Sequence, residues 1–136
     1  MVEPILRSTV AEGPSATVRY GPSMEKCLKK YQQAGTIQRI KKQLNRFIDH
    51  KVASPADPFG SNDKAVAAWY AGFYKAHLTH DDSVMYRYDR RENVLRIYGI
   101  WSHDELGLGN PVKPTLASGL AATLDSQVFE SKPKSF

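Results

Sequence analysis

Ser83 to Trp101 reads SVMYRYDRRENVLRIYGIW, two β-prone runs around a charged turn. In Ser83–Tyr88, Val84, Tyr86 and Tyr88 fall on one face, and Met85 and Arg87 fall on the other. Asp89–Asn93 supplies the turn, and Val94–Trp101 alternates again. Immediately upstream, Phe73–Leu78 forms a third run of the same kind. Three strands with links this short predict an antiparallel meander with one face to bury.

The stretch before it supplies the cover. Ile37, Ile40, Leu44, Phe47 and Ile48 recur at helical spacing behind Thr36, a candidate cap. Met24, Cys27, Leu28 and Tyr31 do the same behind Ser23, and Gly35 stops that helix. These two helices predict an αα-hairpin laid on the sheet. Ala16–Tyr20 predicts a short strand, Ala53–Asp63 a loop, and Ala65–Ala68 a helical turn. Beyond Gly107-Leu-Gly-Asn-Pro111, the four-residue spacing of Leu116, Leu120, Leu124 and Val128 after Pro114 predicts a C-terminal helix. The fold class expected is therefore α+β. The layout expected is a polar leader over 1–14, one folded domain over 15–109 and an extension over 110–136 that ends in a frayed tail.

Composition bounds the function. A chain of 136 residues that is 41% hydrophobic builds one core and one domain. No apolar run approaches the roughly 20 residues that span a bilayer. Met1–Pro14 lacks the apolar segment of a signal peptide. A single cysteine, Cys27, excludes a disulfide framework and a cysteine-based zinc site. The expectation is a cytoplasmic protein with no membrane partner. The net charge of +5 is concentrated between Met24 and Lys51, where eight basic residues meet only Glu25 and Asp49. Lys41, Lys42 and Arg46 are expected to point away from the apolar stripe. Such a stripe attracts phosphate backbones or an acidic protein, or is simply a solvated helix face.

The histidines carry the chemistry. His50 ends a helix, where an imidazole suits the dipole and needs no further role. His77, His80 and His103 cluster near strand ends with Asp81 and Asp82. Their spacing matches no zinc motif, and no metal or other cofactor is expected. Paired histidines instead suit general acid–base catalysis, one removing a proton and the other delivering it. Cleavage of RNA by its own 2′-hydroxyl needs that pair and a cation for the charged transition state. A nearby carboxylate orients one imidazole or raises its pKa. Lys75 and Arg87 share the sheet and are candidates to hold phosphate. Trp69, Tyr74 and Trp101 either stack a base or pack the sheet.

One stretch also resembles a known family. Gly72-Phe-Tyr-Lys-Ala-His77-Leu is followed by Asp81, by the Val-Met-Tyr-Arg-Tyr strand, and by Leu95-Arg-Ile-Tyr-Gly-Ile-Trp-Ser-His103. This is similar to the sheet half of the YafQ-like branch of the RelE/ParE toxins. There a Gly-aromatic-x-x-Ala-His segment precedes an aspartate by four residues, and the final strand ends in Thr-His. The resemblance spans roughly Ala16 to Gly109, its specific part being His77 to His103. It implies a RelE-like fold and ribosome-dependent mRNA cleavage by the toxin of a type II toxin–antitoxin pair. The implied catalytic residues are His77, Asp81 and His103, with base and acid unassigned. The implied partners are mRNA, the ribosome and a cognate antitoxin. Where that branch has a further histidine before the sheet tryptophan, this chain offers Asp57, Asp63 and Lys64. Two other functions fit the same fold: a gyrase-directed toxin that acts by binding, and an adapter without catalysis.

Overall fold

A computed structural model describes residues 16–60, 63–66, 70 and 72–107. In chain order the elements are β1 (Thr17–Tyr20), α1 (Met24–Gln33), α2 (Ile37–Ala53), β2 (Lys64–Ala65), β3 (Tyr74–His77), β4 (Asp82–Asp89), β5 (Val94–Ser102) and the single-turn α3 (His103–Leu106). All five strands form one sheet in the order β1-β5-β4-β3-β2. The leader over 1–14, Trp69, and the helix expected over Leu116–Val128 lie outside the described residues.

The meander expected over β3, β4 and β5 is antiparallel, with Lys75 opposite Met85 and Val84 opposite Ile100. Two pairings extend it. β1 lies parallel to β5, with Val18 opposite Leu95 and Tyr20 opposite Ile97. A parallel neighbour requires a long crossover, and the α1–α2 hairpin is the first part of that crossover. The other addition corrects the helical turn expected from Ala65: Lys64–Ala65 is an edge strand, opposite Lys75 and Tyr74. Pairing to an open sheet edge overrides a weak local helix signal.

The helices begin and end where their sequences place them. Ser23 and Thr36 occupy the N-cap positions, yet neither side chain caps its helix. The α1 terminus is a Schellman motif. The Thr36 amide donates to the Tyr31 carbonyl at 3.0 Å and the Gly35 amide to the Gln32 carbonyl at 3.1 Å. Gly35 has φ 77°, a left-handed conformation that glycine adopts without a Cβ penalty.

The hairpin covers one sheet face. Leu28, Ile40, Leu44, Phe47 and Ile48 pack against Val18, Val84, Tyr86, Leu95, Ile97 and Ile100. The opposite face is not bare, as a one-sided sheet would be. Cys27, Tyr70, Phe73, Met85, Tyr98, Trp101 and Leu106 form a second, smaller core there. Tyr70 closes it by donating its hydroxyl to the Leu106 carbonyl at 2.5 Å.

A bulge in β5 makes room for this second core. Met85 pairs with Gly99 and Tyr86 with Ile97, so Tyr98 is the extra residue. Trp101, two residues beyond Gly99, folds its indole flat over that glycine. A Cβ at position 99 would overlap the indole carbons. Gly99→Ala is therefore expected to destabilise the fold by about 1–3 kcal/mol through overpacking. Urea unfolding checks this, and an unchanged midpoint would mean that the indole has room to move.

Candidate active site at the ends of β3 and β5

The site is built from strand alternation. Ala76 belongs to the helix-covered core, and the Tyr74 ring lies against Tyr86 on the same face, 5.8 Å between centroids. Lys75 and His77 therefore project to the other face. Register then assembles their neighbours. Lys64 stands opposite Lys75, and His77 opposite Ser83, which stands opposite Trp101. Directly opposed residues share a face, so Lys64, Lys75 and His77 line one patch at the β2–β3 side of the sheet. His103 begins α3 directly after β5, whose last residue, Ser102, pairs with Asp82.

The electrostatics of this patch is cationic. The His77 pKa lies below the usual histidine value of 6.5, first through burial and then through Lys75, His80, His103 and Lys64. His77 is therefore mainly neutral at pH 7, the form that accepts a proton. His103 and His80 lie within electrostatic reach of His77. Lys75 is lowered too, by burial and by Lys64 beside it. Among the described residues no carboxylate pairs with Lys64 or Lys75. An anion arriving between these two lysines would relieve their repulsion.

Asp81 sits at the margin of this group. It is exposed on the β3–β4 turn, and its amide donates to Thr79 Oγ1 at 3.3 Å. Among the described residues its carboxylate pairs with neither His77 nor His103. The carboxylate effect expected on an imidazole is thus absent at His77, where cations push the pKa the other way. The aspartate that is firmly held is the next one. Asp82 accepts from Tyr31 Oη at 2.7 Å and from Thr79 Oγ1 at 2.8 Å.

The remaining candidates divide by location. Arg87 points to the His77 face but lies four residues along β4 from Ser83, roughly 13 Å by strand rise. Trp101 is 8% exposed and packs the second core. Tyr74 is 45% exposed on the opposite face. Lys41 is buried rather than outward, which corrects its expected place in a basic stripe. Lys42 and Arg46 are exposed, but α2 packs on the face away from His77. Lys51, counted in the same basic run, is buried and paired with Asp63 at 2.5 Å. Other lysines of the basic run belong to α1. Lys26, Lys29 and Lys30 line a groove of about 930 Å³ together with Trp101 and Glu105. His50 Nε2 lies 3.1 Å from the Asp57 carbonyl. Among the described residues no three His, Cys, Asp or Glu side chains are grouped to hold a metal ion. No helix among them is long and apolar enough to cross a membrane.

Comparison of the sequence with models of protein families, and with curated proteins, finds no match. Comparison of the fold with solved structures does. The crystal structure of the E. coli DinJ–YafQ toxin–antitoxin complex matches with a TM-score of 0.55 and 17% identity, over 68% of this chain and 97% of that one. The heterotetrameric YoeB–YefM toxin–antitoxin complex from Staphylococcus aureus matches at 0.53 and 17%, over 65% and 97%. A YoeB/ParE toxin from Agrobacterium tumefaciens matches at 0.52 and 17%, over 63% and 96%. The fold is that of the YafQ and YoeB toxins. In this RelE-type fold the helical hairpin occupies one sheet face and leaves the His77 face to the short α3 and the second core.

The sequence reading missed Lys64 as a member of the site. Its signal was faint: a lone lysine where the resembling branch carries histidine. The reading also gave no sign of the Tyr31–Asp82 hydrogen bond or the Lys30–Glu105 ion pair, which join residues far apart in sequence.

Proposed function

We propose that this chain is the toxin of a toxin–antitoxin pair and an endoribonuclease that cleaves mRNA on the ribosome. The observation that carries the reading is His77, a depressed-pKa imidazole set among Lys64, Lys75 and His103 on the face of a YafQ-type sheet opposite the helical hairpin. In this mechanism neutral His77 takes the proton of the 2′-hydroxyl. The freed oxygen attacks the adjacent phosphorus. Lys64 and Lys75 stabilise the negative charge that builds on the phosphate oxygens. His103, exposed at the start of α3, protonates the departing 5′-oxygen. Asp81, on the turn between them, faces solvent and is assigned to hold substrate or to orient His80. No metal or cofactor takes part.

So few groups depend on substrate positioning, which the ribosome supplies by holding the message in a reactive geometry. The partner proposed is an antitoxin, since the YafQ and YoeB structures named above are complexes with DinJ and YefM. The exposed cations Lys42 and Arg46 suit an acidic segment of it, or ribosomal phosphates.

Induced expression followed by primer extension on a translated message tests the reading. Growth arrest with cuts inside codons is expected. Arrest without cuts would favour the second reading, a gyrase-directed toxin, which the YoeB/ParE likeness brings into view. No arrest would favour an adapter on the same fold.

A further inference from the structure

The two histidine-bearing elements are held by consecutive residues of one helix. Tyr31 of α1 reaches the β3–β4 turn. Its hydroxyl donates to Asp82 Oδ1 at 2.7 Å, and Thr79 Oγ1 donates to Asp82 Oδ2 at 2.8 Å. Thr79 Oγ1 in turn accepts the Asp82 amide at 3.1 Å, and the Asp82 carbonyl accepts the Leu78 and Thr79 amides at 2.9 and 3.2 Å. The turn that follows His77 and contains His80 is thereby folded onto Asp82, and Asp82 is pinned to α1.

Lys30 reaches the other element. Its ammonium pairs with Glu105 Oε2. Glu105 Oε1 accepts the Ser102 amide at 3.0 Å, while the Glu105 amide donates to Ser102 Oγ at 3.1 Å. This capping box encloses His103, the first residue of α3. Adjacent helix residues diverge by about 100°, which lets Lys30 and Tyr31 address two different elements. The two hubs are themselves neighbours, since Asp82 and Ser102 pair across β4 and β5.

We infer that Lys30 and Tyr31 act as one clamp, with Glu105 and Asp82 as its receivers, that sets the separation of His77 from His103. They are positioning residues and touch no reacting atom. The inference deepens the nuclease reading and rests on it for its catalytic consequence. The protonation states fit. Burial and the Asp82 carboxylate push the Tyr31 phenol well above its usual value, which keeps it a donor. Burial works against the Glu105 carboxylate, yet Lys30 and the Ser102 bonds hold it below the usual range.

The test is a coupling measurement on the full chain that needs no catalysis. The His77 midpoint is followed by NMR with and without His103→Gln. The groups facing His77 are Lys75, His80, His103 and Lys64, and only His103 is varied. Because His103 is one of the groups that lower the His77 pKa, its removal is expected to raise the His77 midpoint by about 0.3 unit. In a Tyr31→Phe/Glu105→Gln background, which preserves side-chain volume, that rise is expected to fall below about 0.1 unit. Lys30→Arg should preserve it. An undiminished rise in the double variant overturns the clamp. In the cleavage assay the double variant is expected to lose about 10²-fold in kcat with little change in KM. Lost coupling together with a wild type that cuts no message would support the clamp and sink the nuclease reading.

Discussion

His77→Ala is expected to lower message cleavage by about 10²–10⁴-fold, the usual contribution of one general acid or base. The fold should survive, because His77 is only half-buried at a strand end and belongs to neither hydrophobic core. Its surroundings also fix the pH dependence. Burial and four cationic or titratable neighbours hold its pKa below 6.5. A base must be neutral to act, so the acid limb of the rate profile should fall below pH 6.5, with no gain in this limb above pH 7. Replacing Lys75 with glutamine removes the largest of the charges that depress it. The acid limb should then move toward higher pH while the maximal rate falls. A limb at or above 6.5 in the wild type would take His77 out of the base role. His103→Ala should cost a similar factor if proton delivery to the leaving oxygen limits the rate.

Asp63→Ala should give the largest loss of stability in the chain, about 3–5 kcal/mol. Asp63 ends the α2–β2 loop, and its side chain is buried. Its carboxylate pairs with Lys51 at 2.5 Å, accepts the Phe59 amide at 2.7 Å and accepts the Tyr86 hydroxyl. Lys51 itself is 3% exposed in its side chain and donates to the Asp57 carbonyl at 2.8 Å. Removing the carboxylate strands a buried ammonium and leaves the Tyr86 hydroxyl and the Phe59 amide without their acceptor. Against a total stability of roughly 5–15 kcal/mol for a small domain, that loss is a large share. Removing both charges, as Lys51→Met/Asp63→Leu, should be far milder, because no uncompensated charge remains. Urea unfolding of the single and double variants checks the sign and the coupling. Equal losses in both would mean that the ion pair carries net stability of its own. The single variant should also slow cleavage, since Asp63 precedes Lys64 and anchors the edge strand that presents it.

Much of the frame was legible in Ser83–Trp101, because eight- and nine-residue strands show a full period-2 pattern on both sides of an obvious turn. The helix boundaries were legible from Gly35 and from two clean apolar stripes. β2 was not, since two residues carry no period and Lys64–Ala65 is a strand only by pairing with Lys75 and Tyr74. The parallel seating of β1 on β5 was hidden because its partners lie more than 70 residues away. Lys41 was misplaced because α2 buries a face wider than its apolar stripe, taking in Lys41, Asn45 and Lys51. Long lysine stems tolerate such flanks while their ammonium groups find polar partners. At the site, residue types alone grouped His77, His80 and His103 with Asp81 and Asp82, the family resemblance implied His77, Asp81 and His103, and the strand ends bring His77 and His103 into electrostatic reach. Spacing could not distinguish exposed Asp81 from its neighbour Asp82, whose bonds to Tyr31 and Thr79 organise the turn.

The most direct test of the nuclease account is a single-turnover assay with the purified full chain, programmed ribosomes and a labelled message. Wild type, His77→Ala and His103→Ala would be compared across pH 5–9. The account predicts cleavage only when the ribosome is present, at least about a 10²-fold loss in each variant, and an acid limb below pH 6.5 that disappears in His77→Ala. Cleavage by His77→Ala at the wild-type rate, or no cleavage by the wild type on ribosomes, would contradict it.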